Sequence, residues 1–216
     1  SGTEAIEGSI KLAKRATGRS QIIAARKAYH GNTQGSLSIM DYELRKQPFR
    51  PLIPDVAWIE FNNEAELQKI TYRTAGVVLE TIQGGAGFIT PENDYLAKVK
   101  KRCEEVGALL ILDEIQPGFG RTGTLFGFQN YNVVPDIIAI GKGMASGLPC
   151  GAFVASYELM HLLADKPKMS HITTFGGNPV VAAASLATLR ELISTDLMAQ
   201  TLEKEQLFRK LLKHPK

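Results

Sequence analysis

Leu109-Leu110-Ile111-Leu112-Asp113-Glu114-Ile115-Gln116, followed by Ile137-Ile138-Ala139-Ile140-Gly141-Lys142-Gly143, decides how this chain is read. Each half is an apolar run that ends in a polar, chemically capable residue. Apolar runs of this length, flanked by helical patterns, predict strands of a mostly parallel sheet buried on both faces. In an open α/β sheet, ligands bind in the crevice outside the carboxyl ends of the strands. Asp113 and Lys142 are then delivered to one crevice as a carboxylate and an amine.

Composition sets the outer limits. A chain of 216 residues fits one large domain, or one domain with a helical extension. With 44% hydrophobic and 22% charged residues it can build a sizeable core. The formal charge of +3 is spread along the sequence, and the densest basic run, Lys98 to Arg102, reads as a solvated helix face. That argues against nucleic acid as a partner. No apolar run approaches the roughly 18–20 residues that span a bilayer, so no membrane partner is expected. Cys103 and Cys150 give neither a disulfide framework nor a metal spacing, which points to free thiols and a cytoplasmic compartment. His30, His161, His171 and His214 share no ligand-like spacing, and no metal site is expected.

Outward from the two strands, helical and strand patterns alternate. Helices are expected over 3–17, 33–40, 64–72, 93–106, 157–163, 179–193 and 197–212, and strands over 21–25, 56–59, 76–80, 109–113, 137–140 and 151–155, the last one antiparallel. Gly18 ends the first helix, and Pro48, Pro51 and Pro54 mark an excursion loop. The order argues a three-layer α/β sandwich, a mostly parallel sheet with helices on both faces.

Several segments carry chemistry, each with a plainer alternative. Asp113 can hold a proton on a buried ring nitrogen, or it can simply cap a strand end. Lys142 can form a Schiff base in a partly desolvated pocket, or it can be a loop lysine in solvent. Together the acid and the amine suit pyridoxal 5′-phosphate, with its ring nitrogen and its aldehyde. Gly2-Thr3 at a helix start offers a phosphate seat through free N–H groups and the positive dipole end, or an ordinary N-cap. Tyr29-His30-Gly31 puts an aromatic ring where a flat cofactor can stack, or at the core rim. Thr173-Thr174-Phe175-Gly176-Gly177-Asn178-Pro179 is a polar turn opening a helix. The Gly118–Gly123 segment matches G-x-G-x-x-G, but no helix pattern follows it, so a dinucleotide site is rejected. A phosphate loop at Lys142 fails as well, because Asp136 stands where glycine is required and Gly143 where Ser or Thr is.

Seven segments in order span nearly the whole chain: Ser1-Gly2-Thr3-Glu4-Ala5, Tyr29-His30-Gly31, Glu80-Thr81-Ile82-Gln83-Gly84, Leu112-Asp113-Glu114-Ile115-Gln116, Gly118-Phe119-Gly120-Arg121-Thr122-Gly123, Gly141-Lys142-Gly143 and Thr174-Phe175-Gly176-Gly177-Asn178-Pro179. Together they resemble the class III (subgroup II) aminotransferases of the fold type I pyridoxal-phosphate superfamily, the group of the ornithine, acetylornithine and 4-aminobutyrate aminotransferases. The resemblance implies amino-group transfer from an amino acid or ω-amine to a 2-oxo acid, in a homodimer with shared active sites. It implies Lys142 as the Schiff-base lysine that shuttles the proton, with Asp113 on the pyridinium and Gln116 on the ring hydroxyl. It further implies Tyr29 stacked on the ring beside His30, Gly2 and Thr3 on the phosphate, and Glu80 as an acid near the site. Thr174 would come from the partner subunit.

The departures from that pattern are informative. Gly85 stands where members using 2-oxoglutarate with ω-amino donors usually carry a gating glutamate, which leaves the donor open. Thr81 replaces a usual proline, a change the sequence alone reads as neutral. The family's N-terminal segment and its small domain have no counterpart in these residues. The expectation is therefore a large domain over 1–195, with 196–216 leading towards a small domain. An aminomutase or decarboxylase on the same core, or a cofactor-binding fragment that does not complete turnover, are the alternatives.

Overall fold

The computed structural model describes residues 1–165 and 167–213. Six strands form one sheet: β1 (Gln21–Ala25), β2 (Val56–Ile59), β3 (Thr74–Glu80), β4 (Leu109–Asp113), β5 (Ile137–Gly141) and β6 (Gly151–Ala155), in the order β2-β1-β3-β4-β5-β6. All neighbouring pairs run parallel except β5 with β6, which are antiparallel. The expected three-layer α/β sandwich is what is observed, including the single antiparallel edge.

Helices cover both faces. α1 (Gly2–Thr17) lies on one face, where Ile6, Ile10 and Ala13 pack on Ala24, Val78, Ile111 and Ile137. It stops at Gly18, whose left-handed backbone (φ 68°) lets its N–H bond the Lys14 carbonyl at 3.0 Å. Two short helices, α2 (Gln34–Ser38) and α3 (Glu43–Lys46), follow β1. α4 (Tyr95–Val106) covers the opposite face, its Leu96, Val99 and Cys103 packing on Val77, Leu79, Leu110 and Leu112. After the sheet come α5 (Tyr157–His161), α6 (Pro179–Ser194) and α7 (Gln200–Leu211), none of which buries a residue fully.

Strand side chains alternate between faces, and this fixes the site. Val77 and Leu79 of β3, like Leu110 and Leu112 of β4, face α4. Val78 and Ile111 face α1. The next residues in that second set are Glu80 and Asp113, which are directly paired across the ladder. Both acids therefore emerge on the α1 side, at the C-terminal tips, next to the start of α1.

Element boundaries differ in places from the sequence reading. The helix expected over 64–72 is a 3-10 turn, Glu64–Lys69, in which Asn63 accepts from the Ala65 N–H and buried Leu67 and Ile70 pin the end. The helix over 33–40 shrinks to Gln34–Ser38, and that over 157–163 to Tyr157–His161. Of the 196–216 segment, residues 214–216 lie outside those described.

α1 reaches β6 through Gly8. A Cβ there would come within 2.2 Å of the Phe153 ring. Alanine normally stabilises a helix over glycine by about 1 kcal/mol, but here overpacking opposes it. Gly8→Ala is expected to lower stability by about 1–3 kcal/mol in chemical denaturation, and adding Phe153→Ala should recover part of the loss through a non-additive cycle.

Candidate active site

Asp113 is buried, and its two oxygens are already engaged. Oδ1 accepts from the Ile115 N–H at 3.0 Å, and Oδ2 lies 2.8 Å from His30 Nδ1. The His30 ring is enclosed, and its Nε2 has no partner among the described residues. Glu80, one strand over, is also buried. Its Oε2 accepts from the Tyr29 N–H at 3.1 Å and its Oε1 from the Gly84 N–H at 3.2 Å. Burial pushes the Glu80 carboxyl above the usual range, against the opposing effects of the nearby His30 and of the two N–H donors.

Lys142 follows β5 directly. Its backbone is left-handed (φ 42°), an uncommon state for a non-glycine residue, and it opens a 3-10 turn, Lys142–Ala145. Its Nζ donates to Gln116 Oε1 at 3.2 Å. Asp113, Lys142, Gln116, Tyr29, His30, Glu80, Gly2 and Thr3 all line one cavity of about 260 Å3. The two strand tips on which the sequence reading depends thus converge. Thr174 does not line this cavity; it lies in an exposed turn beside Phe175, which is 81% exposed.

The start of α1 forms another wall of the cavity. Helix starts leave backbone N–H groups without intrahelical partners; here Ser1 takes those of Glu4 and Ala5, while Gly2 and Thr3 line the cavity. The Thr3 hydroxyl sits 2.8 Å from Thr33 Oγ1 and 2.7 Å from Ser36 Oγ. Gly31 makes this possible: its φ is 130°, and a Cβ would fall 2.3 Å from Thr3 Oγ1. Beneath lies a residue the sequence reading did not single out. Glu7 accepts from the Thr33 hydroxyl and from the N–H groups of Gly35 and Ser36, at 2.5, 2.7 and 3.0 Å. It caps α2 from the side of α1 and locks the two helix starts together. The signal was Glu7 one turn below Thr3, with a Thr-x-x-Ser start at Thr33, but only the fold brings the two together.

Glu114 and Thr81 were missed as well. The Thr81 hydroxyl donates to Glu114 Oε1 at 2.5 Å, while the N–H groups of Gly127 and Phe128 donate to the same carboxylate at 2.7 and 2.9 Å. Both side chains are fully buried. Thr81 is therefore not neutral: a proline there would leave Glu114 one donor short. The Gly118–Gly123 segment is a set of turns leading to a 3-10 turn, Gly127–Asn130, rather than a helix opening, as the rejected dinucleotide reading requires. At Gly85 a Cβ would sit 3.6 Å from the Tyr29 Cβ, so a side chain placed there would stand at the rim of the cavity.

The family model for class-III aminotransferases matches residues 1–216. A [LysW]-aminoadipate semialdehyde/glutamate semialdehyde transaminase from Sulfolobus acidocaldarius is 40% identical, covering 98% of this chain and 54% of its own length. The protein of the same description from Sulfurisphaera tokodaii is 38% identical, covering 99% of this chain and 54% of its own. Among solved structures, the ornithine aminotransferase of Toxoplasma gondii, described with partial occupancy of PLP at its active site, superposes with a TM-score of 0.90 at 29% identity, covering 100% of this chain and 54% of that one. The chain belongs to the class-III aminotransferase family. It spans about half the length of the curated relatives it matches.

Burial pushes the Glu114 carboxyl upward more than its three donors lower it. A carboxyl whose folded value is raised contributes stability that is present below its unfolded value, near 4.5, and lost as pH rises through the folded value. The stability of the native chain relative to Glu114→Gln is therefore expected to fall as pH rises above about 4.5 and to level off once Glu114 is ionised, as read from thermal unfolding across pH. Thr81→Ala should cost about 1.5–3 kcal/mol at neutral pH, the range for a hydrogen bond to a charged buried group.

Proposed function

We propose that this chain is the cofactor-binding core of a pyridoxal-phosphate-dependent aminotransferase. The observation that carries this reading is Asp113 and Lys142 on one cavity, with a helix start as its third wall. The residues present fit the cofactor. A carboxylate has about four lone-pair directions; two of Asp113's are taken, so a protonated ring nitrogen can still be accepted. Lys142, the one lysine among the residues lining the cavity, suits the aldehyde, and the N–H groups at Gly2 and Thr3, which have no partner among the described residues, suit the phosphate.

When bound, pyridoxal phosphate supplies an aldehyde and a ring that delocalises negative charge from the substrate carbon. Lys142 Nζ would hold the cofactor through its aldehyde and would take the proton from the substrate's amino-bearing carbon. Asp113 would keep a proton on the ring nitrogen, and His30, bonded to its Oδ2, fixes the carboxylate's orientation. Gln116, which accepts from Lys142 Nζ, would hold the ring hydroxyl, while Tyr29 would supply the stacking face. Glu80 holds the Tyr29 and Gly84 backbones in place, shaping the rim.

The donor is proposed to be an amino acid or ω-amine and the acceptor a 2-oxo acid. The semialdehyde transaminases among the relatives and the ornithine aminotransferase among the structures support an ω-type donor. A homodimer with shared sites is proposed, in which the partner's Thr174 reaches the phosphate. Exposed Phe175 beside Thr174, and exposed Val180, Ile193 and Phe208 on α6 and α7, support an apolar contact there. Residues 1–195 would form the large domain, with 196–216 leading towards a small one. Two free cysteines fit a cytoplasmic setting.

The test is direct. Added pyridoxal phosphate should give a visible absorbance band, and borohydride should fix the cofactor's mass on the peptide bearing Lys142. Labelling elsewhere, or no band in folded protein, overturns the assignment. Lys142→Ala is expected to lower amino transfer to a 2-oxo acid by at least about 10²-fold, the lower end for loss of a general acid–base group. Carbon dioxide release or an intramolecular amino shift in place of transfer would instead favour the decarboxylase or aminomutase alternative.

A further inference from the structure

A second concave site lies at the opposite end of the sheet, around the C-terminal end of α1 and the lead-ins to β1, β2 and β3. Its cavity measures about 570 Å3, and Lys14, Arg15, Arg19, Ser20, Asp55 and Arg73 line it. Four cations face one carboxylate, in a chain whose whole formal charge is only +3. The α1 helix, with 16 residues, spans about 24 Å at 1.5 Å per residue. The groove is thus separated from the Asp113 cavity by the full length of that helix.

The single acid is already occupied. Asp55 Oδ2 accepts from the Ser20 hydroxyl at 2.5 Å, and Oδ1 lies 3.6 Å from Arg73 Nη2. Arg19 is held rigidly: its Nη1 donates to the carbonyls of Thr74, Val106 and Gly107 at 3.0, 2.8 and 3.0 Å. Those carbonyls fix the guanidinium without neutralising its charge, and its Nε and Nη2 have no acceptor among the described residues. A guanidinium carries five donors, so most of Arg19's valence is directed elsewhere. Lys14 likewise has no carboxylate partner among the described residues. Arg15 donates to the Leu162 and Asp165 carbonyls and adds charge at the rim.

We propose that this groove binds a phosphorylated small molecule, its phosphoryl oxygens held by Lys14, Arg19 and Arg73. A phosphate monoester brings nearly two negative charges and three acceptor oxygens, which matches three cations lining one groove better than a single carboxylate does. Guanidinium groups pair with phosphate through parallel N–H donors, and Arg19 is already fixed in place, so little ordering remains to be done on binding. The cavity falls within the 300–1,000 Å3 typical of small-ligand sites and leaves room for the rest of the ester.

The probe is inorganic pyrophosphate, titrated calorimetrically at constant ionic strength into protein loaded with pyridoxal phosphate and freed of excess by gel filtration. Saturable binding is expected, weakened at least tenfold by Lys14→Ala and by Arg73→Glu, both surface changes, with the bound cofactor's absorbance unaltered. Citrate, a trianion like pyrophosphate at about pH 7.5, should bind at least tenfold more weakly than pyrophosphate. Absence of saturable binding, affinity indifferent to both substitutions, or equal affinity for citrate overturns the proposal.

Discussion

Three carboxylates buried at adjacent strand tips are the constraint around which this structure is arranged. An ionised carboxylate removed from water costs several kcal/mol unless donors meet it. Glu80, Asp113 and Glu114 are 4%, 3% and 0% exposed, so each needs its own donors. They find them in local backbone: Tyr29 and Gly84 for Glu80, Ile115 for Asp113, and Gly127 and Phe128 for Glu114. The loops after β1, β3 and β4 are consequently tied to the sheet by these hydrogen bonds as well as by apolar packing. The ties of Glu80 and Asp113 border the cavity.

The period-2 alternation of strands then distributes the three acids. Glu80 and Asp113 share a register position and face α1, while Glu114, one residue on, bonds Thr81, one residue past Glu80. Adjacent residues on two paired strands thus form two carboxylate layers, one facing the cavity and one beneath it. The lower layer contributes no atom to the cavity lining, but it anchors Gly127 and Phe128, and with them the turns from Gly118 onward. A threonine at position 81 is what lets the lower layer close, because it offers a hydroxyl where proline offers no donor at all.

What was legible in the sequence follows from the range of each interaction. The strands β3, β4 and β5 are continuous apolar runs, and burial on both faces writes itself into composition. Asp113 and Lys142 were legible because each ends such a run. Glu7 and Thr81 were not, because their partners stand 26 to 33 residues away and only the closed fold brings them within hydrogen-bond reach. The segment over 64–72 failed for the opposite reason. Its helical composition was overridden by two buried anchors, Leu67 and Ile70, which fix a tighter turn than propensity favours.

The α1 helix connects these observations, because its two ends meet different demands. At its start, Gly2 and Thr3 line the cavity, the Thr3 hydroxyl is backed by those of Thr33 and Ser36, and Glu7 holds α2 in position. At its end, Gly18 closes the helix, and Lys14 and Arg15 sit where the dipole favours positive charge. Those cations are stabilised by the helix whether or not a ligand is present, so a basic groove there costs the fold little. Arg19 is the exception. Its guanidinium is half-buried and ties the carbonyls after α4 to the start of β3, joining the two helix layers across the lower edge of the sheet. A cation placed for that structural reason is also a fixed charge facing solvent, and the polarity of the helix above it sets cations at this edge and anion-seeking donors at the other.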